Sequence, residues 1–263
     1  MTILEEIIAT KRREIERRRG HRPMDNILRE AEDKGRRIFS MVDSLKAPGS
    51  TAIIAEFKTR SPSKGIINNS ADVELVTRKY IDAGAAALSV LTDTEFFGGS
   101  FDDLGKARSA NRSPILQKDF IIDEYQIAEA LLYGADVILL IAAALDHEKV
   151  KSLSREAKEY GLEVILEIHK KDELSMLTGD IDIIGINNRN LDTFLTDFRT
   201  SLSLAEHIPG ELVKISESGI YDADTIFELR EAGFNGFLLG EAFMKEADPG
   251  EACRRLIEQV KRT

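Results

Sequence analysis

The sequence predicts an α/β chain folded as a single (β/α)8 TIM barrel with an N-terminal helical extension. Three observations carry that reading. Eight short apolar segments recur roughly 20 to 36 residues apart, amphipathic helical patterns separate them, and a glycine closes several of those helices just before the next segment.

The predicted strands are residues 51–57, 87–91, 115–117, 137–141, 163–166, 183–186, 212–215 and 236–239. Most are continuous Val/Ile/Leu/Ala runs, the composition of parallel strands buried on both faces. Between them, residues 72–83, 101–111, 124–133, 146–160, 198–207 and 222–232 place apolar side chains three and four apart with charges between, as helices covering a sheet do. Gly84, Gly134, Gly161 and Gly233 stand where a left-handed residue ends a helix and turns the chain back. Eight such units match a closed barrel of roughly 250 residues better than an open doubly wound sheet. No G-x-G-x-x-G opens a helix, which argues against a dinucleotide fold. Ahead of the repeat, Ile3, Leu4, Ile7, Ile8 and Ile15 mark one face of a first helix, and residues 24–34 suggest a second. Residues 1–48 are therefore read as a helical extension packed on the barrel and covering one of its mouths. Residues 49–263 are read as the catalytic barrel, with no linker composition to divide them.

The chain has 263 residues, 43% of them apolar, and a formal net charge of −10. That charge repels nucleic acid phosphates, and the interleaved glutamates make the N-terminal arginines helical ion pairs rather than a nucleic-acid or membrane patch. The longest apolar run, residues 137–145, is too short to span a bilayer, and no secretory pattern opens the chain, so the expected location is cytoplasmic. The single cysteine, Cys253, excludes a disulfide framework. The four histidines are scattered without ligand spacing, so no metal is expected.

Barrel enzymes carry their chemistry at the carboxyl ends of the strands. Glu56 and Lys58 end the first strand on one face, because side chains alternate with a period of two. A structural ion pair in the barrel core would leave the same trace. Lys118 ends the third strand and Glu167 the fifth, completing a lysine/carboxylate set suited to acid/base work at a carbonyl. After strands seven and eight, Glu217, Ser218 and Gly219, then Gly240 and Glu241, bring glycines to adjacent strand ends, where backbone amides can converge on an anion; glycines needed only for tight turns would look the same. Residues 60–65 add hydroxyls and cations that can close over the same ligand.

Taken in order, Ile54-Ala55-Glu56-Phe57-Lys58 with Ser61-Pro62-Ser63-Lys64-Gly65, Leu116-Gln117-Lys118-Asp119-Phe120, Gly185-Ile186-Asn187-Asn188-Arg189-Asn190-Leu191, Ser216-Glu217-Ser218-Gly219-Ile220 and Leu239-Gly240-Glu241-Ala242-Phe243-Met244 span nearly the whole barrel. In this order they resemble the indole-3-glycerol phosphate synthase family, and the N-terminal helix looks like that family's extension.

The resemblance implies a lyase of tryptophan biosynthesis. Its substrate would be 1-(2-carboxyphenylamino)-1-deoxyribulose 5-phosphate, converted to indole-3-glycerol phosphate with loss of carbon dioxide and water. It implies Lys118 as general acid, Glu167 as base and Lys58 as a second proton donor or electrostatic partner, leaving open which lysine serves which transfer. Glu56, Asn187 and Ser218 would hold the sugar hydroxyls or orient the catalytic groups. Arg189 would take a carboxylate or phosphate, Ser61, Gly219 and Gly240 the phosphate, and Phe97, Phe120 and Leu139 the aryl ring, with Phe39 as a further wall. Glu217 and Glu241 would also touch the substrate, although a carboxylate at 241 should repel the phosphate unless it points away. No cofactor, nucleic acid or membrane partner is expected; the chain would act as a monomer that can associate with other enzymes of the pathway. Phosphoribosylanthranilate isomerase, which would call for a Cys/Asp pair, and a non-catalytic phosphate-binding barrel are the competing readings.

Overall fold

A computed structural model describes residues 2–190 and 193–262, so Leu191 of the fourth motif lies outside the described residues. Eight parallel strands close into a barrel in which each strand bonds to its neighbours in sequence and the last bonds to the first. They are β1 (Ile53–Phe57), β2 (Ala87–Leu91), β3 (Ile115–Lys118), β4 (Val137–Ile141), β5 (Glu163–Ile168), β6 (Ile183–Asn187), β7 (Val213–Glu217) and β8 (Gly236–Leu239). Nearly every strand residue is buried, as expected where helices cover the outside and side chains fill the inside.

The strand ends differ from the sequence reading in a consistent way. β1 starts two residues late because Ala52 has φ of 61°, outside the extended region. β3, β5, β6 and β7 run on through Lys118, Ile168, Asn187 and Glu217, since neighbouring strands supply ladder partners that a hydrophobic pattern does not reveal. The predicted glycine turns are present: Gly84, Gly134, Gly161 and Gly233 all have positive φ. The outer helices are α4 (Val73–Ala83), α5 (Phe101–Ala110), α6 (Glu124–Tyr133), α7 (His147–Glu159), α8 (Arg199–Ala205), α9 (Ala223–Glu231), α10 (Glu241–Met244) and α11 (Pro249–Lys261). Asp72, Ser100, Asp123, Asp146, Asp222 and Asp248 cap six of them by accepting backbone N–H bonds. Between β5 and β6 the chain forms a 3-10 helix, Lys171–Met176, in place of an α-helix.

Ahead of β1 lie α1 (Ile3–His21), α2 (Met24–Lys34) and α3 (Met41–Lys46). Ile3, Leu4 and Ile7 of α1 border the cleft at one mouth, and the extension also continues as a strap to the other end of the barrel. At the upper end, the buried Lys11 of α1 pairs with Asp93 at 2.8 Å and Asp119 at 3.1 Å, just past β2 and β3. At the lower end, Asp136 accepts hydrogen bonds from Arg36 at 2.7 Å, Arg108 at 2.8 Å and the Phe39 and Ile115 amides at 3.0 and 2.9 Å. Glu163, which starts β5, likewise accepts from Ser40 and the Met41 amide. Phe39 is therefore not a wall of the mouth. Its ring lies 4.9 Å beneath the Arg108 guanidinium, at the amino ends of the strands. No helix is long and apolar enough to cross a membrane among the described residues.

Candidate active site

Strand register sets the level at which polar side chains emerge. Glu56 lies opposite Ser89, Leu91 opposite Lys118, Ile141 opposite Glu167 and Asn187 opposite Glu217. With a period of two along each strand, these side chains meet at one mouth. The mouth opens into a cleft lined by Glu56, Lys58, Ser61, Phe97, Lys118, Phe120, Leu139, Glu167, Asn187, Arg189, Glu217, Ser218 and Glu241. A smaller chamber beside it adds Gly219 and Gly240. Apart from Phe39, the candidate site residues read from the sequence border these two adjoining spaces, whereas Cys253 is buried in α11.

Lys118 Nζ donates to Glu167 Oε2 at 2.6 Å and to Glu217 Oε2 at 2.9 Å. Both carboxylates are almost fully buried, at 2% and 1% exposure. Burial favours the neutral amine of Lys118, but the carboxylates of Glu167 and Glu217 outweigh it and hold the ammonium above its ordinary range. Burial also favours a protonated Glu167, yet Lys118 and then His169 bring it down to about 2. Glu217 goes the other way, to about 7: burial raises it, Lys118 opposes, and the nearby Glu167 charge adds to the rise. One ammonium shared by two carboxylates leaves the second close to neutral-pH titration. A second pair stands across the mouth, where Lys58 Nζ donates to Glu56 Oε1 at 2.5 Å and Ser89 donates to Glu56 Oε2 at 3.3 Å. Asn187 Nδ2 donates to Glu167 Oε1 at 3.2 Å, and its own oxygen accepts the Arg189 amide at 3.0 Å.

Two glycines make room for this arrangement. A side chain at Gly185 would overlap Glu217 Oε1, and a Cβ at Gly240 would stand 2.6 Å from Glu56 Oε1. Gly240 therefore serves the Glu56 carboxylate as well as the rim chamber.

Glu241 borders the cleft and does not point away, the one orientation in which its carboxylate was expected not to repel a phosphate. Its charge is met by Lys64 at 3.4 Å and Arg189 at 3.5 Å, while the Tyr221 hydroxyl donates at 3.4 Å. The Phe97 and Phe120 rings lie 6.0 Å apart, centroid to centroid, and form an apolar wall with Leu139.

Comparison with known proteins fixes the chain's kinship. The family model described as indole-3-glycerol phosphate synthase matches residues 4–256. The chain belongs to this family. The indole-3-glycerol phosphate synthase of Bacteroides thetaiotaomicron is 49% identical over 258 residues, covering 98% of both chains. That of Burkholderia ambifaria is 44% identical over 256 residues, covering 97% of this chain and 98% of its own. Among solved structures, the tryptophan synthase alpha subunit of Legionella pneumophila aligns with a TM-score of 0.62 at 14% identity, covering 84% of this chain and 95% of that one; this likeness concerns the barrel fold alone.

Sequence reasoning missed several residues around this synthase-family site. Ile3, Leu4 and Ile7 of α1 line the cleft, although their helical pattern signalled only an apolar face. Tyr221 reaches Glu241 from the loop after β7 and joins Lys64 of the 60–65 segment there, a meeting with no trace in the linear sequence. His169, one residue past the end of β5 and two past Glu167, sits 3.5 Å from that carboxylate; continuing the alternation beyond the strand could have flagged it.

Proposed function

We propose that this family member closes the indole ring of indole-3-glycerol phosphate, taking 1-(2-carboxyphenylamino)-1-deoxyribulose 5-phosphate and releasing carbon dioxide and water. The observation that carries the reading is Lys118 held between two buried carboxylates, Glu167 and Glu217, at the barrel mouth. The ring closure needs a proton on the ketose oxygen as the aryl carbon attacks the carbonyl carbon and the C=O electron pair moves to oxygen, and Lys118 is the charged donor bordering the cleft. Dehydration then needs an acid at the departing hydroxyl and a base for the remaining proton, roles that Lys58 and Glu167 fill. Glu56, Asn187 and Ser218 orient these groups and the sugar hydroxyls.

The aryl ring is assigned to the wall made by Phe97, Phe120 and Leu139, where an apolar surrounding favours decarboxylation: carbon dioxide leaves neutral and the bonding pair it leaves behind neutralises the ring cation formed on closure. The phosphate is assigned to the chamber beside Ser61, Gly219 and Gly240, lined by the cations Lys58 and Arg189, with Lys64 reaching it through its pair with Glu241. Glu217 shares Lys118 with the base and so contacts the reacting end rather than the phosphate. Residues 1–48 are taken as the extension and residues 49–263 as the catalytic unit, in keeping with the strap contacts at Lys11 and Asp136. A cytoplasmic monomer acting on a small sugar phosphate, free to associate with other tryptophan-pathway enzymes, completes the reading. Buried placement of Cys253 in α11 disfavours the isomerase alternative, which needs an acid/base cysteine at the mouth.

The test is a fluorescence assay for indole formation from the carboxyphenylamino sugar phosphate. Turnover that falls by roughly a hundredfold or more in both Glu167→Gln and Lys118→Ala is the expected result. Conversion of the phosphoribosyl precursor of that compound, with no indole formed, would replace the synthase reading by the isomerase one.

A further inference from the structure

His169 follows β5, and its imidazole is largely enclosed, with 14% of the side chain exposed. Neither ring nitrogen has a hydrogen-bond partner. Nε2 stands 3.5 Å from Glu167 Oε1, and Nδ1 stands 3.7 Å from Glu173 Oε2. Glu173 is itself fixed, accepting the His169 backbone N–H at 2.6 Å. Lys118 uses the other oxygen of Glu167, Oε2, so the two cations flank one carboxylate from opposite sides.

We propose that His169, braced by Glu173, is a positioning residue whose imidazolium keeps Glu167 ionised and aimed when Lys118 turns to the substrate. This rests on Glu167 being the base. In the free protein Lys118 holds Glu167 charged. Once the Lys118 ammonium leaves to protonate the ketose oxygen, Glu167 would be a nearly dry carboxylate supported only by Asn187, and burial would protonate it. A second cation on Oε1 prevents that loss. Contacts of this kind are commonly long without substrate and tighten in the complex.

The charges around the ring agree. Burial disfavours the imidazolium, but Glu173, then Glu167, and more weakly Glu217 from β7 raise the His169 pKa above its usual value. The adjoining helical turn, Ala142–Ala144, carries no ionisable side chain, Asn187 on β6 is neutral, and Lys118 on β3 is the cation paired with Glu167 and Glu217.

The experiment combines NMR with kinetics. Ring titrations of the intact protein, with His169 assigned by the signal missing in His169→Asn, should show it protonating above about pH 6.5, the ordinary histidine value, and Glu173→Gln should move it down. A His169 titrating at or below the ordinary value would overturn the proposal without any reference to turnover. In His169→Asn, the acid limb of kcat should move up by about one pH unit, the lower end expected for loss of a close opposite charge. The limb of kcat/KM, which reports the free protein, should move less because Lys118 is still in place there. A uniform fall in kcat with unmoved limbs would make His169 merely structural. An active Glu167→Gln variant would instead remove Glu167 as base, a failure of the functional reading that leaves the NMR result standing.

Discussion

At the scale of single residues, the mouth is organised by unequal sharing of charge. Lys118 offers one ammonium to two carboxylates, so the pKa values of Glu167 and Glu217 are driven apart although both are glutamates in the same space. Lys118→Ala is expected to lower turnover by roughly a hundredfold or more, the usual worth of a lost acid; near-normal steady-state turnover would remove Lys118 from the chemistry. The two glutamates also make opposite contributions to stability. Glu217 has its pKa raised from an ordinary 4.5 to about 7, so the stability it confers is full below 4.5 and is lost as pH rises through 7. Glu167 is lowered from 4.5 to about 2, so its contribution is present above 4.5 and is lost as pH falls toward 2. Urea midpoints at pH 4.5 and pH 7 should therefore differ less in Glu217→Gln than in the parent protein. An unchanged difference would mean that Glu217 titrates as an ordinary carboxylate.

At the scale of elements, the period of two along a strand does most of the positioning. It puts Glu56 beside Lys58 and Glu167 beside His169, while register brings neighbouring strands to one level. The ladder also dictates where a side chain must be missing. Gly240→Ala would place a methyl group 2.6 Å from Glu56 Oε1, so it should lower kcat as well as raise KM. Misplacement of a catalytic carboxylate by a fraction of an ångström to one ångström costs about ten- to a hundredfold. Steady-state kinetics showing a pure KM effect would assign the glycine to anion binding alone. Strand existence, the glycine caps and the candidate residues at strand ends were legible because each leaves a local mark: an apolar run, a left-handed turn, a charge where the run stops. The role of Gly185 was not, because it depends on Glu217 of another strand occupying the space.

At the scale of the whole molecule, the extension ties the two ends of the barrel together. Lys11, with 2% of its side chain exposed, is sandwiched among Asp93, Asp119 and Glu14, and the carboxylates hold its ammonium charged against the pull of burial. Lys11→Met is expected to lower the free energy of unfolding by about 3–5 kcal/mol, since it leaves buried carboxylates unpaired. Urea denaturation would reveal the loss, and an unaltered midpoint would show α1 to be dispensable for folding. At the other end Asp136 binds Arg36, Arg108 and two backbone amides, so residues 36–42 are anchored where the strands begin. Long-range ion pairs of this kind leave no periodic trace, which is why Phe39 was placed at the wrong end.

By itself, the sequence determined the (β/α)8 class, the approximate strands and the family, because hydrophobic period and ordered motifs are properties of contiguous residues. It also named the groups that border the cleft, since charges at strand ends can only emerge at a rim. Tertiary structure alone decided which carboxylate shares which lysine, which glutamate titrates near neutrality, and that Glu241 faces cations rather than turning away. Those outcomes depend on distances between side chains up to 177 positions apart, as in the pair of Lys64 and Glu241, and on how much water burial removes from each. A linear pattern encodes neither quantity; the closed barrel fixes both.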